Sequence, residues 1–126
     1  VGDSREGRAP ICDACLGGHE EIVRLLLDAG AMLDTSEPVR NPLFSSIIGR
    51  SLPIVKMLLD SGIEYGVRYD GPNMKNMDAV AFAVERGENS IAEEIARRQA
   101  KGDTGAMSHI LEAAKNIAVL NNMDKK

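Results

Sequence analysis

The sequence predicts an all-α solenoid, a row of short helix pairs stacked side by side and closed by one longer helix at the C-terminal end. Three observations carry that expectation. Two long stretches repeat at a constant offset of 32 residues: Pro10-Ile11 matches Pro42-Leu43, Ile22-Val23 matches Ile54-Val55, Leu25-Leu26-Leu27 matches Met57-Leu58-Leu59, Asp28 matches Asp60, and Gly30 matches Gly62. A third, more degraded copy runs from Asp78 to Gly87 and on through Ile91-Ala92 and Ile95-Ala96, its offset of 37 marking an insertion of about five residues. Aromatic residues make up 3% of the chain, namely Phe44, Tyr65, Tyr69 and Phe82, so the core has to be aliphatic, which points to packed helices.

Each copy reads as two helices. In the first, Pro10 stands at a helix start, where its missing N–H costs nothing, and Gly17-Gly18 breaks the helix some seven residues later. The second helix runs from about Glu20 to Ala29, with Glu20 and Glu21 near its positive N-terminus. Its apolar residues Ile22, Val23, Leu25, Leu26 and Leu27 form a broad stripe, and Gly30 closes it as a left-handed C-cap. Neither helix can bury such a face alone. Stacking on neighbouring copies solves that problem.

After Asp103-Thr104 the repeat register is lost. Met107, Ile110, Leu111, Ala114, Ile117 and Ala118 then recur at three and four residues, the mark of an amphipathic helix over 104–120 that would cap the third copy. Residues 121–126 read as a polar, fraying tail.

The run from Arg8-Ala9-Pro10-Ile11-Cys12-Asp13-Ala14-Cys15 through Gly18-His19-Glu20-Glu21-Ile22-Val23-Arg24-Leu25-Leu26-Leu27-Asp28-Ala29-Gly30-Ala31 resembles the ankyrin repeat, with its T-P-L-H-x-A start and G-H-x-E-I-V-x-L-L-L-x-x-G-A continuation. The second copy resembles it through Asn41-Pro42-Leu43-Phe44 and Ile54 to Gly62, and the third keeps the skeleton. The resemblance covers residues 1–103 and implies an ankyrin-repeat solenoid divided into 1–8, the end of a preceding repeat, then repeats at 9–40, 41–77 with the inserted loop, and 78–103. On this reading the chain starts in mid-array, and Val1 in place of Met is the first residue of a trimmed piece.

The departures also matter. Cys12 and Phe44 stand where the family has His, and Ala9 and Asn41 where it has Thr, so the usual Thr–His link between repeats is expected to be absent. In the third copy Glu94 and Ala96 replace leucines and Gln99 stands where the closing Gly belongs, the pattern of a terminal repeat with one face turned to water.

Catalysis finds no foothold in these residues. Cys12-Asp13-Ala14-Cys15 is a C-x-x-C, but it has neither a thioredoxin-like strand-to-helix context nor a second pair to complete a zinc site, and it reads as two inward-facing free thiols in a reducing compartment. His19 occupies the helix-opening Gly-His position, and His109 has no Ser, Cys or carboxylate constellation beside it in the sequence. Gly17-Gly18 lacks the Lys and Ser/Thr of a phosphate loop. The expectation is a non-enzymatic chain with no cofactor and no metal. A net charge of −4 argues against binding to a phosphate backbone, and no apolar run reaches the roughly 20 residues that cross a bilayer.

What remains is surface. In proteins similar to this one, partners are bound by hairpin tips and by exposed positions at the end of each first helix, which line a concave face. Carried over, the partner-binding residues are Arg5, Arg8, Leu16, Glu37, Arg40, Ile48, Met74, Lys75, Glu85 and Arg86. The inserted loop, Val67 to Met77, adds Tyr69: its Asp70-Gly71-Pro72-Asn73 turn signal predicts an extended finger on which Tyr69 and Met74 are exposed anchors. The function expected is a cytoplasmic, monomeric protein-recognition module of the adaptor or scaffold kind, with another protein as partner. A small inhibitor or immunity-type protein that neutralises a toxin or enzyme is the alternative, and a redox or metal protein using Cys12 and Cys15 a distant third.

Overall fold

The computed structural model describes residues 10–71 and 74–124. Arg5, Arg8 and the predicted end of a preceding repeat at 1–8 lie outside the described residues, as does the finger tip Pro72-Asn73. A chain of this length has room for one compact unit. It falls instead into two, divided between Glu64 and Tyr65, as suits repeats that touch only their neighbours.

The first unit is two helix pairs: α1 (Pro10–Leu16) with α2 (Glu20–Asp28), and α3 (Pro42–Ile48) with α4 (Leu52–Asp60). Each pair packs within itself, and across the pairs α1 packs on α3 and α2 on α4. Local chemistry sets the boundaries. Asn41 accepts from the Leu43 N–H at 2.8 Å and Ser51 from the Ile54 N–H at 3.3 Å, so two helix starts are capped by side chains. At the far ends Gly30 and Gly62 take φ of +86° and +89°, the left-handed turn that only glycine enters freely. The interior is aliphatic: Ile11, Val23, Leu43, Ile47, Ile54, Val55 and Leu58 are all buried, with Phe44 beside them.

The stripe predicted on α2 is not a buried face. Val23 is fully buried, but Ile22 is 48% and Leu25 67% exposed. Among the described residues α2 packs on α1 and α4, and Val23 is the residue it buries there.

The second unit holds a hairpin and three helices. Strands β1 (Tyr69–Gly71) and β2 (Met74–Met77) pair antiparallel, Tyr69 opposite Met77 and Gly71 opposite Met74, with an irregularity between. Then come α5 (Ala79–Glu85), α6 (Asn89–Ala100) and α7 (Thr104–Asp124). Asp78 opens α5 by accepting from the Ala81 N–H at 2.9 Å. Asp103 does the same for α7 through Gly105 and Ala106. With Gln99 in place of glycine, α6 runs on to Ala100 before Lys101 and Gly102 turn it with positive φ.

Within the second unit the C-terminal helix lies against both α5 and α6 and reaches β2. Its innermost positions are Ala114, Ala118 and Asn121, spaced four and three residues apart. Two expectations are corrected here. Glu94 and Ala96 do not face water: Ala96 is fully buried, and the buried Glu94 carboxylate is held by Arg97 and by Arg98 Nε at 3.2 Å, an arrangement that satisfies a charge excluded from solvent. Nor does a fraying tail begin at 121, because the helix continues through Asp124 and Asn121 is buried.

Candidate protein-recognition surface

The residues proposed to meet a partner divide between the units. Leu16, Glu37, Arg40 and Ile48 belong to the first; Tyr69, Met74, Lys75, Glu85 and Arg86 belong to the second.

In the first unit the ends of α1 and α3 are pressed together. A Cβ placed on Gly49 would lie 2.3 Å from the Cys15 carbonyl oxygen and 2.9 Å from that of Leu16, so only a hydrogen atom fits at the seam. This brings the last residues of both helices side by side, with Leu16 half-buried and Ile48 41% exposed. A large aliphatic side chain that the fold leaves open to water at this point is available to a partner.

The loop that follows the first helix pair is ordered by its own polar groups. The Ser36 N–H donates to Asp34 Oδ1 at 2.9 Å, and Arg40 lies 3.9 Å from Asp34 and 3.8 Å from Glu37. Hydrogen bonds from the side chain and backbone of Ser36, assisted by the Arg40 charge, hold the Asp34 carboxyl below its ordinary pKa. A short 3₁₀ turn at Pro38–Arg40 forms the tip. There Val39 is 54% exposed, a residue the sequence reading passed over. The signal was present, since an aliphatic residue within a tip otherwise made of Glu, Pro and Arg has no core to enter.

The loop is also tied to α1. The Cys12 thiol donates to the Arg40 carbonyl at 3.2 Å, so a sulfur ties the start of the repeat at 9–40 to its own end. Cys12 and Cys15 are both buried free thiols. Burial, with Cys12 adding to it, pushes the Cys15 thiol up to about 12, so the thiol stays protonated near neutral pH.

In the second unit the finger differs from its expected form. Tyr69 is 7% exposed and is no exposed anchor. It stands at the root of the hairpin opposite the buried Met77, where the flanking strands place it inward; the turn signal that suggested a tip lies at the next residues along. Met74 is half-buried, and Lys75 is exposed. The hairpin is braced by Asp70, which accepts from the Asn76 N–H at 2.9 Å, and by Arg68, 3.7 Å from the Asp78 carboxylate. Glu85 is half-buried, and the exposed Arg86 lies over the Phe82 ring at 5.7 Å from its centroid.

No helix among the described residues is long and apolar enough to cross a membrane, and no group of three or more His, Cys, Asp or Glu side chains among them is arranged to hold a metal ion.

The three-copy ankyrin-repeat profile matches residues 1–69. An ankyrin repeat and KH domain-containing protein of Caenorhabditis briggsae is 28% identical over 114 residues, an alignment that covers 84% of this chain and 4% of that protein. The chain therefore spans a small part of the curated relative it matches. Ankyrin-repeat proteins are generally non-enzymatic modules of protein–protein interaction. With the repeat register in the sequence, the stacked helix pairs and this match over more than half its length, the chain belongs to the ankyrin-repeat family.

Proposed function

We propose that the chain is a protein-recognition module of the adaptor or scaffold kind, binding its partner through the ends of α1 and α3 and through the hairpin tips. The observation that carries this reading is Ile48, a large aliphatic residue 41% exposed at the seam that Gly49 closes, next to the half-buried Leu16. The exposed Val39, Glu37 and Arg40 supply a mixed apolar and charged rim in the same unit. Interfaces draw most of their energy from a few such anchors within a polar surround.

The test is affinity capture with the intact chain and with Ile48→Glu, both shown by circular dichroism to be folded. A protein retained by the intact chain and released at least about tenfold by Ile48→Glu, a loss of roughly 1.4 kcal/mol, supports the seam as the site. Equal retention by both forms removes it. A substitution at Leu16 is a poorer probe, because that residue is half-buried and its loss disturbs packing as well.

A further inference from the structure

We infer that Asn121 is the positioning residue of the finger: its side-chain amide completes the outer edge of β2 and fixes the hairpin to the C-terminal helix. The geometry is that of a peptide group placed beside a strand. The Lys75 N–H donates to Asn121 Oδ1 at 2.8 Å, and Asn121 Nδ2 donates to the Lys75 carbonyl at 3.0 Å, so one amide satisfies both backbone groups of one residue. The second hydrogen of Nδ2 goes to the Ile117 carbonyl at 2.9 Å, one helical turn back, which locks the orientation of the amide. Asn121 is 3% exposed, so its own amide is shielded from water.

The placement has a physical reason. A two-stranded hairpin is marginal in water on its own, and the unpaired edge of a strand invites pairing with another chain. Here β2 gains a third element at the cost of one side chain rather than another strand. Asparagine suits the position because it carries a donor and an acceptor in the same plane as a backbone amide. The consequence for Lys75 and Met74 is a defined direction relative to α5 and α6, against which α7 is packed.

That this positioning serves partner binding rests on the recognition reading above; the positioning itself does not, and it is read without any partner. Residue-resolved amide hydrogen exchange on the full chain tests it, comparing the unsubstituted protein with Asn121→Leu and Asn121→Ala. Leu keeps the γ-branched shape and is a good helix former but adds volume, and Ala removes the side chain, so a change common to both variants follows the loss of the amide rather than of volume. The expected result is exchange at the Lys75 N–H roughly fivefold or more faster in both variants, as the loss of a net hydrogen bond implies, with the amides of α5 and α6 unchanged. Unaltered protection at Lys75 in Asn121→Leu overturns the inference. So does a rise shared equally by α5 and α6, since that would make Asn121 a general stabiliser of the unit.

Discussion

An aromatic residue beside a dense turn signal can stand at the tip of a finger or at its root, and Tyr69 stands at the root. The alternation of a strand decides this: with Met77 opposite it and buried, Tyr69 shares the inward face, and its exposure falls to 7%. Tyr69→Ala is therefore a core truncation and should lower the unfolding free energy by about 3 kcal/mol, in the range found for buried aromatics. Met74→Ala, at a half-buried position, should cost clearly less. Urea denaturation followed by circular dichroism checks both, and equal small losses would return Tyr69 to the surface. Residue identity alone could not separate these fates, because the spacing between strand and turn was blurred by the inserted residues. By contrast Cys12 and Cys15, both in the repeat register, were legible as inward-facing thiols from their positions in α1.

At the level of elements, helices were legible wherever a terminator was present. Pro10, Pro42, Gly30 and Gly62 bound helices in the structure as they do in the sequence. Where the terminator was missing the reading fell short: α6 outruns the expected length at Gln99, and α7 outruns the position where polar residues suggested a tail. Asn121 misled because a polar residue on the inner face of a helix looks like the end of an apolar pattern, and only the partner across the space, Lys75, shows otherwise. The α2 helix gives the sharpest test of what partial burial means. Leu25→Ser, at 67% exposure, should change stability by no more than about 0.5 kcal/mol, whereas Leu58→Ala, fully buried in α4, should cost about 2–5 kcal/mol. Thermal and chemical denaturation of the two variants decides it. In the same way amides of α2 should exchange faster than those of α4, because only Val23 on α2 is fully buried while Ile54, Val55, Leu58 and Leu59 are buried on α4.

For the whole molecule, the Cys15 thiol couples stability to alkaline pH. Folding raises the Cys15 thiol from an ordinary value of 9.0 to about 12, so the folded chain holds a proton that the unfolded chain gives up in that interval. Below pH 9 the contribution is fully present; as pH climbs from 9 towards 12 the unfolded state binds fewer protons than the folded state, and stability falls. Cys15→Ala should flatten this part of the melting temperature against pH profile, and a slope that survives the substitution would assign it to another group. The array as a whole was the most legible feature of all, since a repeat announces itself at many positions at once. The proposed seat of partner binding was less so, because it depends on which aliphatic residues are left uncovered: Ile48 and Val39 are exposed, while Leu43 and Ile47 in the same helix as Ile48 are not.

Gly49 adds no side chain to the surface it borders, yet it governs the spacing of that surface. Two helix ends meet there backbone to backbone, and a methyl group would force them apart by on the order of an ångström to reach ordinary contact distance. Leu16 and Ile48 ride on those two ends. Any attempt to graft this pair onto another scaffold, or to exchange the second repeat for one of different sequence, has to carry the glycine along: without it the two side chains would be presented at a different pitch, and a partner shaped to the present spacing would find the same residues at the wrong distance.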